Sequence, residues 1–114
     1  NVHEGPFSLS MRNTYPLSEK MIFSNEPGIY IDGEYGIRIE NLVYTKTITL
    51  NKKKFLKLEN LTLVPYEKDL IDANLLSDEE KKWLNNYHNN VIKRISPHLN
   101  NMEKKWLKNQ CRRI

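Results

Sequence analysis

Side chains on either side of Asp32-Gly33-Glu34-Tyr35-Gly36 sort by parity, and this sorting constrains the fold more than any other feature of the sequence. Residues 21–31 and 37–50 both read as strand; the second is rich in Ile, Val, Tyr and Thr. With a turn at 32–36, the odd loop length pairs residues whose numbers sum to 68, so that Ile31 faces Ile37. Side chains alternate between the faces of a strand. Ile29, Ile31, Ile37 and Ile39 then form an apolar face, and Tyr30, Arg38 and Glu40 share the other. Glu26 has the parity of Glu40 and is expected diagonal to it across the ladder. Pro27-Gly28 predicts a bulge or kink in the first strand.

Residues 1–20 read as irregular, broken by Gly5-Pro6 and Tyr15-Pro16. After the hairpin 21–50, Asn51 to Lys54 reads as a second turn, followed by strands near 55–58 and 61–66. The composition then changes near Glu67. Ser77-Asp78-Glu79-Glu80 is a capping box in which Ser77 and Glu80 satisfy each other's backbone amides. Trp83, Leu84, Tyr87, Val91 and Ile95 follow on one helical stripe, read as core packing. Pro97 ends that helix, and a second short helix runs through Met102, Trp106 and Leu107. The fold class is therefore α+β: an antiparallel meander over 1–66, then a helical tail over 67–114. The chain opens on Asn1 rather than Met, so it is expected to be a fragment of a longer parent.

A chain of 114 residues holds at most one core. No apolar run approaches the roughly 18 residues of a membrane span, so no membrane role is expected. The net charge of +4 is spread as +1 over residues 1–66 and +3 over 67–114. The only basic cluster in the first part is Lys52-Lys53-Lys54. A nucleic-acid binder gathers its charge on one face, and no such stripe exists here, so no nucleic-acid partner is expected. Cys111 is the single cysteine, which excludes an internal disulfide and fits a reducing compartment.

The chemistry concentrates on the polar face of the hairpin. Residues 37–44 are too apolar for an exposed edge, and cover on both sides of the sheet is expected. Buried carboxylates need a counter-charge, because an unpaired buried ion costs several kcal/mol. Arg38 can neutralise one of Glu26 and Glu40; a divalent cation can neutralise both. The residues themselves leave both readings open, with the Arg–Glu network the commoner arrangement. His3 lies in an irregular segment, where histidines are usually surface residues. His88 and His98 read as helix-surface residues.

Val2-His3-Glu4-Gly5-Pro6, Ser24-Asn25-Glu26-Pro27-Gly28-Ile29-Tyr30 and Gly36-Ile37-Arg38-Ile39-Glu40-Asn41 resemble, in order and spacing, the last three motifs of the Xaa-Pro aminopeptidases, members of the creatinase/methionine aminopeptidase clan. Leu61-Thr62-Leu63-Val64-Pro65 and Trp83-Leu84-Asn85-Asn86-Tyr87-His88 resemble the tail of the cytosolic eukaryotic three-domain form and favour it over prolidase, which cuts only dipeptides.

The resemblance implies the C-terminal part of a pita-bread metallopeptidase domain in residues 1–66, with hairpin 21–50 carrying part of its metal site. It implies two divalent ions, usually Mn²⁺, held by two Asp, one His and two Glu, of which this chain carries the two Glu. Glu26 then ligates one metal and can shuttle a proton, and Glu40 bridges both. His3 contacts substrate and helps stabilise the tetrahedral intermediate. Arg38 supports the ligand carboxylates from behind, and Tyr30 lies near the substrate. The implied reaction hydrolyses the bond between an N-terminal residue and a following proline, in a cytoplasmic enzyme that is often a homodimer. The fragment alone is expected to be inactive. The competing readings are prolidase and a pita-bread interaction module that has lost catalysis.

Overall fold

The computed structural model describes residues 5–114. His3 and the rest of the first motif's opening, Asn1 to Glu4, lie outside the described residues. The chain divides into two compact units, Asn1–Thr62 and Leu63–Ile114.

Among its described residues the first unit holds five antiparallel strands: β1 (Ile22–Asn25), β2 (Gly28–Ile31), β3 (Tyr35–Arg38), β4 (Asn41–Leu50) and β5 (Lys53–Asn60). β4 is central in a three-stranded sheet of order β1-β4-β5, and β2 and β3 form a separate ribbon. Asn41, Val43 and Thr45 of β4 are buried on one face, where β4 has a neighbour on each side. Beyond Thr45 the ladder is two-stranded and burial fades, since a lone ribbon covers little surface. The buried Thr45 hydroxyl is satisfied twice: it accepts from the Met21 amide at 2.8 Å and donates to the Ser18 carbonyl at 2.5 Å.

Four expectations over residues 21–66 need correction. The loop between β2 and β3 spans Asp32 to Glu34 only. Ile31 pairs with Tyr35 and Ile29 with Ile37, so partners sum to 66 rather than 68. Gly33, at φ 72°, takes the positive-φ third position of a turn closed by the Glu34 amide on the Ile31 carbonyl. The second turn is shorter too. Asn51 and Lys52, at φ 49° and 63°, make a two-residue turn with both central residues at positive φ, the geometry that matches strand twist. β5 therefore runs unbroken over 53–60. Residues 61–66 form no strand: the amides of Leu61 and Thr62 both turn onto the Leu42 carbonyl, and Pro65 has no amide to offer a ladder. Finally, the apolar face of the β2/β3 ribbon is open among the described residues, with Ile29, Tyr35, Ile37 and Ile39 all about half exposed.

The second unit is helical. α1 (Asp78–Ile95) opens on the expected capping box: the Glu80 amide donates to Ser77 Oγ and the Ser77 amide to Glu80 Oε2. A 3₁₀ turn over Ser96–His98, containing Pro97, follows the helix. α2 (Asn101–Gln110) has a second capping box, Asn100 with Glu103, that the sequence reading missed although the Asn-x-x-Glu spacing was visible. Tyr87, Val91, Leu107 and Cys111 make the core, with Leu63, Tyr66, Ile92, Ile95 and Leu99 packed around them. Trp83 departs from the stripe: it stays half exposed, stacked on Tyr87 with ring centroids 5.8 Å apart. Met102 and Trp106 are exposed.

His88 is not a surface residue. It is completely buried, and its Nε2 accepts the Tyr66 amide at 3.1 Å. Burial, then the charge of Lys68, pushes its pKa below the usual imidazole range. An Nε2 that accepts puts the neutral ring's proton on Nδ1, which has no hydrogen-bond partner among the described residues.

Candidate functional site

The register that joins β2 to β3 also joins β1 to β4. Asn25 pairs with Asn41 and Gly28 with Arg38, both summing to 66. The two strands of the hairpin are thus in one register, interrupted on both sides at the same level. Pro27 is the local cause, since it has no amide to donate. The sequence predicts a bulge or kink there; the structure interrupts the strand between Asn25 and Gly28, with the Ile39 amide donating to the Pro27 carbonyl at 3.0 Å. Glu26 and Glu40 are the residues at that break. Continuing the common register across the break puts position 26 opposite position 40, rather than diagonal to it.

Even-numbered residues share one face of this kinked hairpin, and their side chains form a chain of contacts. Ser24 Oγ donates to Glu26 Oε1 at 2.5 Å. Arg38 Nη1 pairs with Glu26 Oε2 at 3.0 Å. Arg38 Nε donates to Tyr30 Oη at 2.7 Å, with the guanidinium 5.8 Å from the ring centroid. The Arg38 pKa is raised above its already high ordinary value, first by the bond to Tyr30, then by the charges of Tyr30, Glu26 and Glu40. Arg38 remains a cation at any physiological pH.

Two glycines make room for this arrangement. A Cβ on Gly28 would come within 2.7 Å of Tyr30 Oη, and one on Gly36 within 2.7 Å of Tyr30 Cδ1. The ring lies flat across both positions, and that brings its hydroxyl to Arg38. Neither glycine is needed for a positive φ; each is needed for close approach.

The sequence reading named Glu26, Tyr30, Arg38 and Glu40, and the structure brings them to one place. It missed Ser24, although its parity puts it on the same face. Glu26 is partly buried and Glu40 exposed. Two carboxylates on one face of the hairpin, one of them paired with a guanidinium, are hard oxygen donors of the kind that suits Mn²⁺ or Mg²⁺. Among the described residues no group of three His, Cys, Asp or Glu gathers to complete a site. The pair therefore fits part of a metal centre, not the whole of one. No helix among the described residues is long and apolar enough to cross a membrane.

Comparison with known proteins bears on both units. Residues 1–47 match the family described as Metallopeptidase family M24, and residues 54–114 match the C-terminal region of peptidase_M24. A probable Xaa-Pro aminopeptidase P from Coprinopsis cinerea is 45% identical over 119 residues, covering 96% of this chain and 19% of that protein. One from Arthroderma otae is 46% identical, covering 100% and 20%. The crystal structure of an X-prolyl aminopeptidase from Caenorhabditis elegans, described as a cytosolic enzyme with a di-nuclear active site, superposes with a TM-score of 0.84 at 40% identity. It is covered to 20% of its length by the whole of this chain. The chain thus spans about a fifth of the length of the curated relatives it matches.

Proposed function

The chain belongs to metallopeptidase family M24, and from that premise we propose that it supplies two glutamate ligands to the dinuclear metal site of an Xaa-Pro aminopeptidase. The observation that carries the proposal is the pair Glu26 and Glu40 at the common break of the hairpin, with Arg38 fastened to Glu26. The names of the fungal relatives and the di-nuclear site of the nematode enzyme support it.

In this reading Glu26 would hold one ion and Glu40 would be shared by both, with the remaining donors supplied by the rest of the parent. When bound, two such ions, in our reading Mn²⁺, lower the pKa of a shared water and polarise the scissile carbonyl. Glu26 would also take a proton from the attacking water on a carboxylate oxygen and return it to the leaving nitrogen. Arg38 holds the Glu26 carboxylate in orientation, and Tyr30 holds Arg38 as it lines the substrate side. His3 donates to the oxygen on which negative charge develops. The substrates are peptides with proline in the second position. The cytosol is the proposed compartment, supported by the description of the nematode enzyme. A homodimer is the proposed assembly, with the tail 67–114 contributing. Sedimentation of a parent truncated after Asp72 tests that contribution, and an unchanged dimer would count against it.

The activity is tested by Mn²⁺-dependent release of the N-terminal residue from an Xaa-Pro-Pro tripeptide, comparing the full-length parent with Glu40→Gln. Loss of a bridging ligand should lower kcat/KM by at least about a hundredfold. A folded, metal-loaded parent without activity would favour the interaction-module reading, with Glu26, Arg38 and Glu40 as a structural charge network. The 114-residue chain alone is expected to be inactive, and submicromolar Mn²⁺ binding by it would contradict the division of ligands proposed here.

A further inference from the structure

We propose that Ser24 is a positioning residue for the metal-ligating carboxylate of Glu26; the inference rests on the reading that Glu26 ligates. Glu26 lies at the break in the ladder, past the end of β1, so its own backbone is not held in a strand. Its carboxylate must be oriented by side-chain partners. Ser24 lies on the same face with its backbone in the ladder, paired with Leu42, and unlike Gly28 on the other side it has a side chain to offer. Its hydroxyl donates to Oε1 at 2.5 Å, while Arg38 holds Oε2 at 3.0 Å.

With Arg38 alone the carboxylate could pivot about the Oε2 contact. A second fastening on the other oxygen stops that rotation. Each oxygen still has a lone-pair direction left for a cation. The two partners also differ in kind. Arg38 is a full positive charge that competes with a cation for the carboxylate, whereas a hydroxyl orients it without bringing charge. Ser24 and Glu26 are both partly buried and Arg38 is exposed, so the hydroxyl bond is the one better shielded from water.

The experiment uses the full-length parent and Mn²⁺ as the probe. Binding of Mn²⁺ to the metal-free protein is followed by calorimetry, and kcat and KM are measured on an Xaa-Pro-Pro peptide. Ser24→Ala should weaken binding at one of the two Mn²⁺ sites about tenfold and lower kcat similarly, with KM changed less than about twofold. Ser24→Thr keeps the hydroxyl and should restore both to within about threefold. Ser24→Val matches Thr in shape without the hydroxyl, so the Thr/Val pair decides the matter even if Ser24→Ala does not fold. Wild-type Mn²⁺ affinity in Ser24→Ala, or equal loss in Thr and Val, overturns the inference while leaving the functional reading intact. A wild-type parent that binds no divalent ion overturns the functional reading itself, and this inference with it.

Discussion

Protonation of His88 should destabilise the helical unit, and the sign and size follow from its surroundings. The ring is fully buried, and its Nε2 accepts the Tyr66 amide. A proton placed there would set N–H against N–H inside the core. The Tyr66 and Tyr87 rings pack around it, at centroid distances of 6.3 and 6.0 Å, and the charge of Lys68 adds repulsion. Its folded pKa is therefore depressed below the 6.5 of a free imidazole. The unfolded chain binds the proton first, so stability is complete above about pH 6.5 and falls as pH drops towards the folded value. One proton limits the slope to about 1.4 kcal/mol per pH unit. Glu80, whose pKa is lowered by its bonds to Ser77, acts only at lower pH, below its ordinary 4.5. Between pH 5 and 7, at about the limits set by these two ordinary values, His88 dominates.

The assay is urea unfolding of the 114-residue chain followed by tryptophan fluorescence. Its two tryptophans, Trp83 and Trp106, both belong to this unit. His88→Gln puts an amide oxygen near the Nε2 position and cannot titrate. Wild type should lose stability between pH 6.5 and 5, at up to about 1.4 kcal/mol per pH unit, and the variant should be flat. Equal slopes in the two proteins would refute the reasoning.

Val91, with no exposed surface at the centre of the same core, should cost about 2 kcal/mol when changed to Ala: two methyl groups plus an unfilled cavity. The urea midpoint reads this, and a loss under about 0.5 kcal/mol would show that the helices close over the gap. Gly36→Ala introduces a Cβ only 2.7 Å from Tyr30 Cδ1 at a position without positive φ, so its effect is a clash rather than backbone strain. The ring must turn away from Arg38; kcat/KM of the parent should fall about tenfold with little change in melting temperature. Unchanged kcat/KM would mean that the Tyr30–Arg38 contact does not matter to the reaction.

His88 also shows what spacing can reveal and residue type can hide. It lies four residues after Leu84 and three before Val91, squarely on the helical stripe. A residue that usually sits outside concealed a core position that the periodicity marked. Trp83 is the reverse case: an apolar residue on the stripe that the structure leaves half exposed. The capped start of α1 was readable because Ser77 and Glu80 satisfy each other locally. The end of the meander was not. Residues 61–66 carry a strand-like pattern, yet whether they pair depends on where the chain leaves β4, a tertiary matter that local pattern does not encode.

The hairpin survived an error in its loop because of how strands count. A five-residue loop was expected and a three-residue one formed, shifting every partner by two. A slip of one would have turned each side chain to the other face; a slip of two changes neighbours and leaves faces alone. The sorting of side chains onto the two faces is therefore unaffected, while the cross-strand partners of positions 26 and 40 change. That difference bears on chemistry. Two carboxylates at opposed positions of one face can share a single counter-charge, and in the proposed reading that charge is a divalent cation. Arg38 is engaged with Glu26 and Tyr30, at one end of the pair. In the proposed reading a cation is held by both carboxylates at the level where Pro27 interrupts the strand pairing.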